Sequence, residues 1–224
     1  MLHPIYKEWK NKKRYKKMMT DIIDFGNPIL HASLIIIVWI FEGFALKFVD
    51  QIVDEGKKPP KPVIVAVLII AGLLAGFSMA IDTVTTAMVL ALIAGVILGG
   101  KIDNTLWYIQ ILLVISGYNL FFIFFIVSIE THVFIPIKVL ILFVMVVVLA
   151  FLDEVVHDGI DKRVESKRVK FILTRRWIMK IAIIMMALAF TWVAWFHAVA
   201  WIAFDITYDV TGYVYAGELH HDSM

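Results

Sequence analysis

Long apolar runs, interrupted by a few ionisable residues, dominate this chain from Ile29 to Phe204. The apolar positions are continuous. They show neither the alternation of a half-buried strand nor the one-sided 3.6-residue period of a surface helix. Most of the runs reach the length of about 20 apolar residues that a transmembrane helix needs. The pattern therefore predicts an all-α fold, a polytopic integral membrane bundle of about six transmembrane helices.

The predicted spans cover residues 29–49, 63–81, 84–99, 106–128, 133–152 and 178–204. The third would be only about 24 Å long, short of a hydrocarbon core of about 30 Å, so we expect a short or irregular span there. Gly72-x-x-x-Gly76 and Gly95-x-x-x-Gly99 place small residues on one face of the second and third spans. Such faces allow helices to pack closely.

Composition agrees with the pattern and excludes some chemistry. Hydrophobic residues make up 61% of the chain and the mean hydropathy is +0.86, whereas a soluble domain has roughly 45–50% apolar residues. The chain has no cysteine, which excludes a disulfide framework and thiolate chemistry. The formal net charge of +2 is small, so the distribution of the charges is more informative than their sum.

The charged residues divide the chain into three parts. Residues 1–28 form a basic interfacial arm, in which lysines are interleaved with Tyr6, Trp9 and Tyr15. This combination suits anionic headgroups. Residues 29–204 form the membrane domain, which includes a basic surface segment at 153–177, and residues 205–224 form an acidic polar tail without Lys or Arg. The two basic segments favour conflicting orientations, so the orientation stays open.

These features predict the partners and the location. The lipid bilayer, with its anionic headgroups, is the expected partner, and a nucleic acid is not, because the residues after the arm enter a membrane. We expect an integral membrane protein of the plasma membrane of a prokaryote. A homo-oligomer and a larger membrane complex both remain open.

The densest polar cluster follows the fifth predicted span. Asp153, His157 and Asp161 recur every four residues, so a helix places them on one face. Carboxylate and imidazole ligands suit Zn²⁺ or Mn²⁺, and carboxylates alone suit Mg²⁺. We predict a divalent metal on these three residues, with Asp153, His157 and Asp103 as catalytic groups. The alternative is a helix that leaves the membrane and becomes solvated.

Cationic residues near the same membrane face would complete an enzyme site. Lys101, Arg175 and Arg176 are predicted to bind the phosphate of a lipid or isoprenoid-phosphate substrate. No recognised metal or phosphate motif supports this prediction, which depends on residue type and spacing alone. Whether the protein is an enzyme therefore stays open.

A second set of polar residues is predicted at the opposite face and suggests transport. Asp82 lies between two apolar runs and is either the N-cap of the third span or a carboxylate at depth that carries a proton or a cation. His31, Glu130, His132 and His197 are the residues predicted to act with it. The alternative for His197, among tryptophans, is the aromatic end of a span.

The position of the polar residues favours the enzyme over the transporter. Apart from Asn119 and Glu42, the predicted polar groups lie near the two faces, whereas transporter sites usually lie near the midplane. We therefore expect a membrane-embedded enzyme. The alternatives are a small proton- or cation-coupled transporter or channel, and a non-catalytic subunit of a membrane complex.

Overall fold

A computed structural model describes residues 27–53, 56–100, 104–128, 137–163, 177–189 and 193–221, although some side chains within these helices are not described. These residues form seven helices and no strand. The helices are α1 (Pro28–Val53), α2 (Lys61–Ile81), α3 (Thr83–Leu98), α4 (Thr105–Ser128), α5 (Ile137–Arg163), α6 (Trp177–Ala189) and α7 (Trp195–His221).

The first five helices lie where the apolar runs predict spans, although α5 continues to Arg163, 11 residues past the predicted end of its span at residue 152. Three of the described helices are long and apolar enough to cross a membrane, namely α1, α2 and the Thr105–Ile123 part of α4. Helix α3 is apolar but shorter, as its run predicts. The all-α fold is confirmed with three candidate membrane spans, and an arrangement of six spans is not.

The last predicted span is two helices. Helix α6 ends at Ala189 and α7 begins at Trp195, so the prediction of one helix over residues 178–204 was wrong. This stretch contains neither glycine nor proline, and hydropathy therefore cannot reveal the break. Helix α7 instead continues to His221, through most of the segment expected to be a polar tail. Asp205 consequently lies inside a helix.

The helices pack mainly as three pairs, α1 with α7, α2 with α4, and α3 with α5. In the first pair, a methyl group on Gly43 would overlap the backbone oxygen of Phe204. Further along both helices, the Lys47 ammonium lies 5.1 Å from the centre of the Tyr208 ring. Because residue numbers increase in the same direction along both helices from the first contact to the second, α1 and α7 are parallel.

The two predicted small-residue faces both contribute to packing. In the second pair, Gly72 contacts Leu113, and Gly76 contacts Gly117 one turn further on, so α2 and α4 are also parallel. In the third pair, a methyl group on Gly95 would lie 2.6 Å from the Cβ atom of Ala150. Gly99 follows the end of α3 instead of packing within it. Glycine thus lets each pair of helices approach closely.

The apolar side chains divide between a core and an outer surface. Ile35, Met88, Leu142, Ile183 and Trp201 belong to one buried cluster that joins five helices, α1, α3, α5, α6 and α7. Every described helix also exposes large apolar side chains, such as Leu112 and Leu188, at 63% and 77% exposure. A surface this apolar on all sides of the bundle is compatible with an integral membrane protein.

Candidate functional site

Asp82 occupies the junction between α2 and α3, where the backbone is extended. Its Oδ1 atom accepts a hydrogen bond of 2.6 Å from the backbone N–H of Thr85. This satisfies one of the free amides that begin a helix. The Thr86 hydroxyl donates to the backbone oxygens of Met79 and Asp82, at 2.6 and 3.0 Å, and braces the same junction. The predicted capping role of Asp82 is therefore present.

Two histidines from other helices face the same carboxylate. His31 Nε2 lies 3.2 Å from Asp82 Oδ2, and His197 Nε2 lies 3.0 Å from Asp82 Oδ1. His31 and His197 each stand in the first turn of their helix, and the parallel packing of α1 and α7 brings these two first turns to the Asp82 junction. We call His31, Asp82 and His197 the His–Asp–His cluster.

The ring of His197 is held between two oxygen acceptors. Its Nδ1 atom lies 3.2 Å from the backbone oxygen of Ala194, and its Nε2 atom faces Asp82 Oδ1. These contacts fix the orientation of the ring beside the carboxylate.

Opposing effects act on the acidity of Asp82. Burial by itself raises the pKa of the Asp82 carboxyl. The hydrogen bond and positive charge of His197, together with the hydrogen bonds from Thr85, lower that pKa by more than burial raises it. The net direction is below the ordinary value of 3.8. Asp82 is therefore an ionised carboxylate at neutral pH.

A cavity of about 160 Å³ lies between the helices. Its lining comes from six of them, α1 to α5 and α7, and is mostly apolar. The polar members of the lining are Glu42, Ser78, Gln110, Asp153 and Asp205, and the aromatic members are Trp39, Trp107, Trp201 and Phe204. We call this space the central cavity.

Two acceptors in the lining lack donors. Glu42 Oε1 and Gln110 Oε1 are buried and accept no hydrogen bond from the residues that the structure describes. Asp205, by contrast, forms an ion pair with Lys180 on α6, with 2.5 Å between Asp205 Oδ2 and Lys180 Nζ. Asp153 is also buried, at 5% exposure. A buried polar atom without a hydrogen bond lowers the stability of the fold. The two acceptors therefore mark the cavity as a candidate binding site.

Two of these groups lie well inside helices. Glu42 stands near the middle of α1, where its apolar run predicts it, and Asp205 lies ten residues after the start of α7. The assignment of Asp205 to a polar tail was therefore wrong, because the sequence did not indicate where α7 begins and ends.

The predicted site residues fall into two groups. The structure brings Asp82, His31 and His197 together, and it places Asp153 at the central cavity. Outside the described residues lie Lys101, Asp103, Glu130, His132, Arg175 and Arg176, and the side chains of His157 and Asp161 are not described either. Within the described part, no group of three or more His, Cys, Asp or Glu side chains could hold a metal ion. The divalent metal stays a prediction.

Sequence reasoning missed Gln110 and Lys180. Each is a single polar residue inside an apolar run, and that position is a signal in itself, because polar residues within spans usually face the bundle interior. The residues that each of them contacts could not be predicted from the sequence. Lys180 meets Asp205 only because the chain turns between α6 and α7.

The fold and the site define an all-α protein compatible with insertion in a membrane, with a histidine–carboxylate cluster where α1, α7 and the α2–α3 junction meet, and a mostly apolar cavity that contains a few polar groups. Comparison with family models, with curated proteins and with solved structures found no match to this chain. The functional argument therefore depends on the geometry of the site.

Proposed function

We propose that this protein is an integral membrane transporter that moves protons through the His–Asp–His cluster and binds a substrate in the central cavity. The observation that carries the proposal is the meeting of His31, Asp82 and His197 beside a cavity with a buried Glu42. Carboxylates and histidines inside membrane helices are costly, and they serve proton relays in pumps and transporters.

The cluster suits proton exchange because its three groups form a chain. His197 and His31 each place Nε2 against a different oxygen of Asp82. The carboxylate stabilises an additional proton on either imidazole, so the cluster can hold a transferred proton on His31 or on His197. Histidine exchanges protons readily near neutral pH.

The cluster is connected to the central cavity through α2. The backbone N–H of Asp82 donates to the backbone oxygen of Ser78, at 3.2 Å, and Ser78 lines the cavity. Four residues of helix correspond to a rise of about 6 Å. The cluster and the cavity are therefore about one helical turn apart along α2.

We also propose that the chain crosses the membrane an odd number of times between the start of α1 and the end of α7, and not six times. The parallel packing of α1 and α7 and the exposed apolar side chains on α5 and α6 support this. The chain has no cysteine, so single introduced cysteines report sidedness directly. Cysteines at Asn27 and Tyr213 should react from opposite sides of sealed vesicles. Reaction from the same side would restore an even number of spans.

Transport is tested in proteoliposomes that enclose a pH-sensitive dye. A potassium gradient with valinomycin supplies the driving force, and the wild-type protein should admit protons faster than empty liposomes. Asp82→Asn should abolish this movement. Asp50→Asn is the matched control, because Asp50 is a carboxylate of similar exposure to Asp82 and is hydrogen-bonded by Tyr208, but lies outside the cluster and the cavity. A wild-type protein no faster than empty liposomes would refute the proposal.

The enzyme acting on a lipid or isoprenoid phosphate remains a second candidate, because Asp153 is buried and lines the central cavity. In that case, purified wild-type protein should hold a divalent metal in elemental analysis, and His157→Ala should lose it while remaining folded. Wild-type protein without metal, or unchanged metal content in the variant, would exclude the metal site.

A further inference from the structure

We infer that the central cavity binds a small organic cation, an alkylammonium ion of about five or six non-hydrogen atoms. This inference rests on the proposed transport function and names the class of its substrate. It is argued from the size of the cavity, from the kind of polar atoms in its lining, and from its aromatic walls.

The size of the cavity limits the ligand. Its volume is about 160 Å³, close to that of an engineered apolar cavity of about 150 Å³ that binds benzene. A molecule with about six non-hydrogen atoms therefore fits. A whole lipid or sugar phosphate is too large for this cavity. A proton alone is far smaller than the cavity, so proton binding does not explain its volume.

The polar atoms of the lining favour a ligand that donates hydrogen bonds. Glu42 Oε1 and Gln110 Oε1 are buried acceptors with no donor among the described residues, and the Gln110 side chain is only 4% exposed. The Ser78 hydroxyl donates to the backbone oxygen of Ala75 at 2.8 Å, so its proton is already used. An ammonium group has three donors and would satisfy both orphan acceptors.

The carboxylate of Glu42 favours a positively charged ligand. Asp205 is paired with Lys180, so its negative charge is already balanced. Glu42 has no hydrogen bond at Oε1, and ionising it among apolar side chains would cost several kcal/mol unless a cation accompanies it. An ammonium ion entering the cavity provides that cation.

The aromatic walls distinguish an organic cation from a metal ion. Trp39 and Trp201 both line the cavity, with their ring centres 5.3 Å apart. Indole faces attract organic cations and tolerate their alkyl groups. Hard metal ions instead require several oxygen ligands, and no suitable group of His, Cys, Asp or Glu exists among the described residues.

The inference is tested by calorimetric titration of the purified full-length protein with n-butylammonium. The control ligand is n-butanol, which has the same size and no charge. Wild-type protein should bind the amine at least about tenfold more tightly than the alcohol, equivalent to about 1.4 kcal/mol. Glu42→Gln keeps the shape of the side chain and should remove most of this preference.

Two further variants separate loss of the ligand contacts from loss of the fold. Gln110→Leu removes the second acceptor and should weaken amine binding severalfold. Gln51→Leu is its matched control and should bind normally, because Gln51 is equally buried but does not belong to the cavity lining. The comparison of amine with alcohol in wild-type protein needs no variant and remains decisive if a variant does not fold.

The possible results separate this inference from the proposed function. Equal affinity for amine and alcohol would overturn the inference and leave only an apolar cavity. No binding of either ligand by a wild-type protein that moves protons would also overturn it, while the proton transport would stand. Amine binding lost in Glu42→Gln would support it, even if no proton movement were measured, in which case the transport proposal alone would fail.

Discussion

Replacing Asp82 separates its role as a helix cap from its role as the partner of two histidines. Asp82→Asn keeps an oxygen that can accept from the Thr85 amide, since asparagine caps helices about as well as aspartate. It removes the negative charge that faces His31 and His197. Asp82→Ala removes the cap and the charge together. The two variants therefore isolate the two contributions.

The structure sets the expected magnitudes. A hydrogen bond to a charged group contributes about 1.5–3 kcal/mol, and the side chain of Asp82 is only 14% exposed. We expect Asp82→Asn to lower the free energy of unfolding by about that amount. Losing the cap adds about 0.5–2 kcal/mol, so Asp82→Ala should cost about 2–5 kcal/mol.

The assay is denaturant unfolding in mixed micelles, followed by helical circular dichroism. Asn104 provides the matched control, because its Oδ1 atom accepts from the Leu106 amide at 3.0 Å and caps α4. Asn104→Ala should cost only the capping contribution, and Asn104→Asp should change little. If Asp82→Asn were as stable as the wild type, the histidine contacts would contribute nothing and the reasoning would be refuted.

The pH dependence gives an independent check with a definite sign. The folded-state pKa of Asp82 lies below its ordinary value of 3.8. Its contribution to stability is therefore present above that value and is lost as the pH falls below it. The difference in stability between the wild type and Asp82→Asn should be constant from about pH 6 to about pH 5, and should shrink below about pH 4. A difference that disappears by about pH 5 would contradict the lowered pKa.

Two further substitutions test the packing and the buried ion pair. Gly43→Ala should cost about 1–3 kcal/mol, because its methyl group would overlap the neighbouring helix, whereas Gly159→Ala, with open space around it, should be neutral or stabilising in the same unfolding assay. Lys180→Met should cost about 3–5 kcal/mol by leaving Asp205 without its cation, and adding Asp205→Leu should restore most of the loss. Additive effects of these two changes would contradict the pairing.

Local patterns in the sequence were sufficient for the individual helices. A continuous apolar run predicts a helix wherever the chain must satisfy its own backbone in lipid, so the first four helices were predicted close to their bounds, whereas α5 continues to Arg163, past the predicted end at residue 152. Asp82 between two such runs predicted the cap, and the glycine spacing of Gly72 and Gly76 predicted close packing. Each of these inferences depends on residues within a few positions of one another.

Only the tertiary structure decided the site. His31 and His197 lie 51 and 115 residues from Asp82 in the chain, and they meet it because α1 and α7 pack in parallel. The break before α7 has no glycine or proline to mark it, so hydropathy extended one span across it and assigned Asp205 to a tail. Hydropathy records how each residue partitions into lipid. It does not record which helices pair, and that pairing creates both the His–Asp–His cluster and the central cavity.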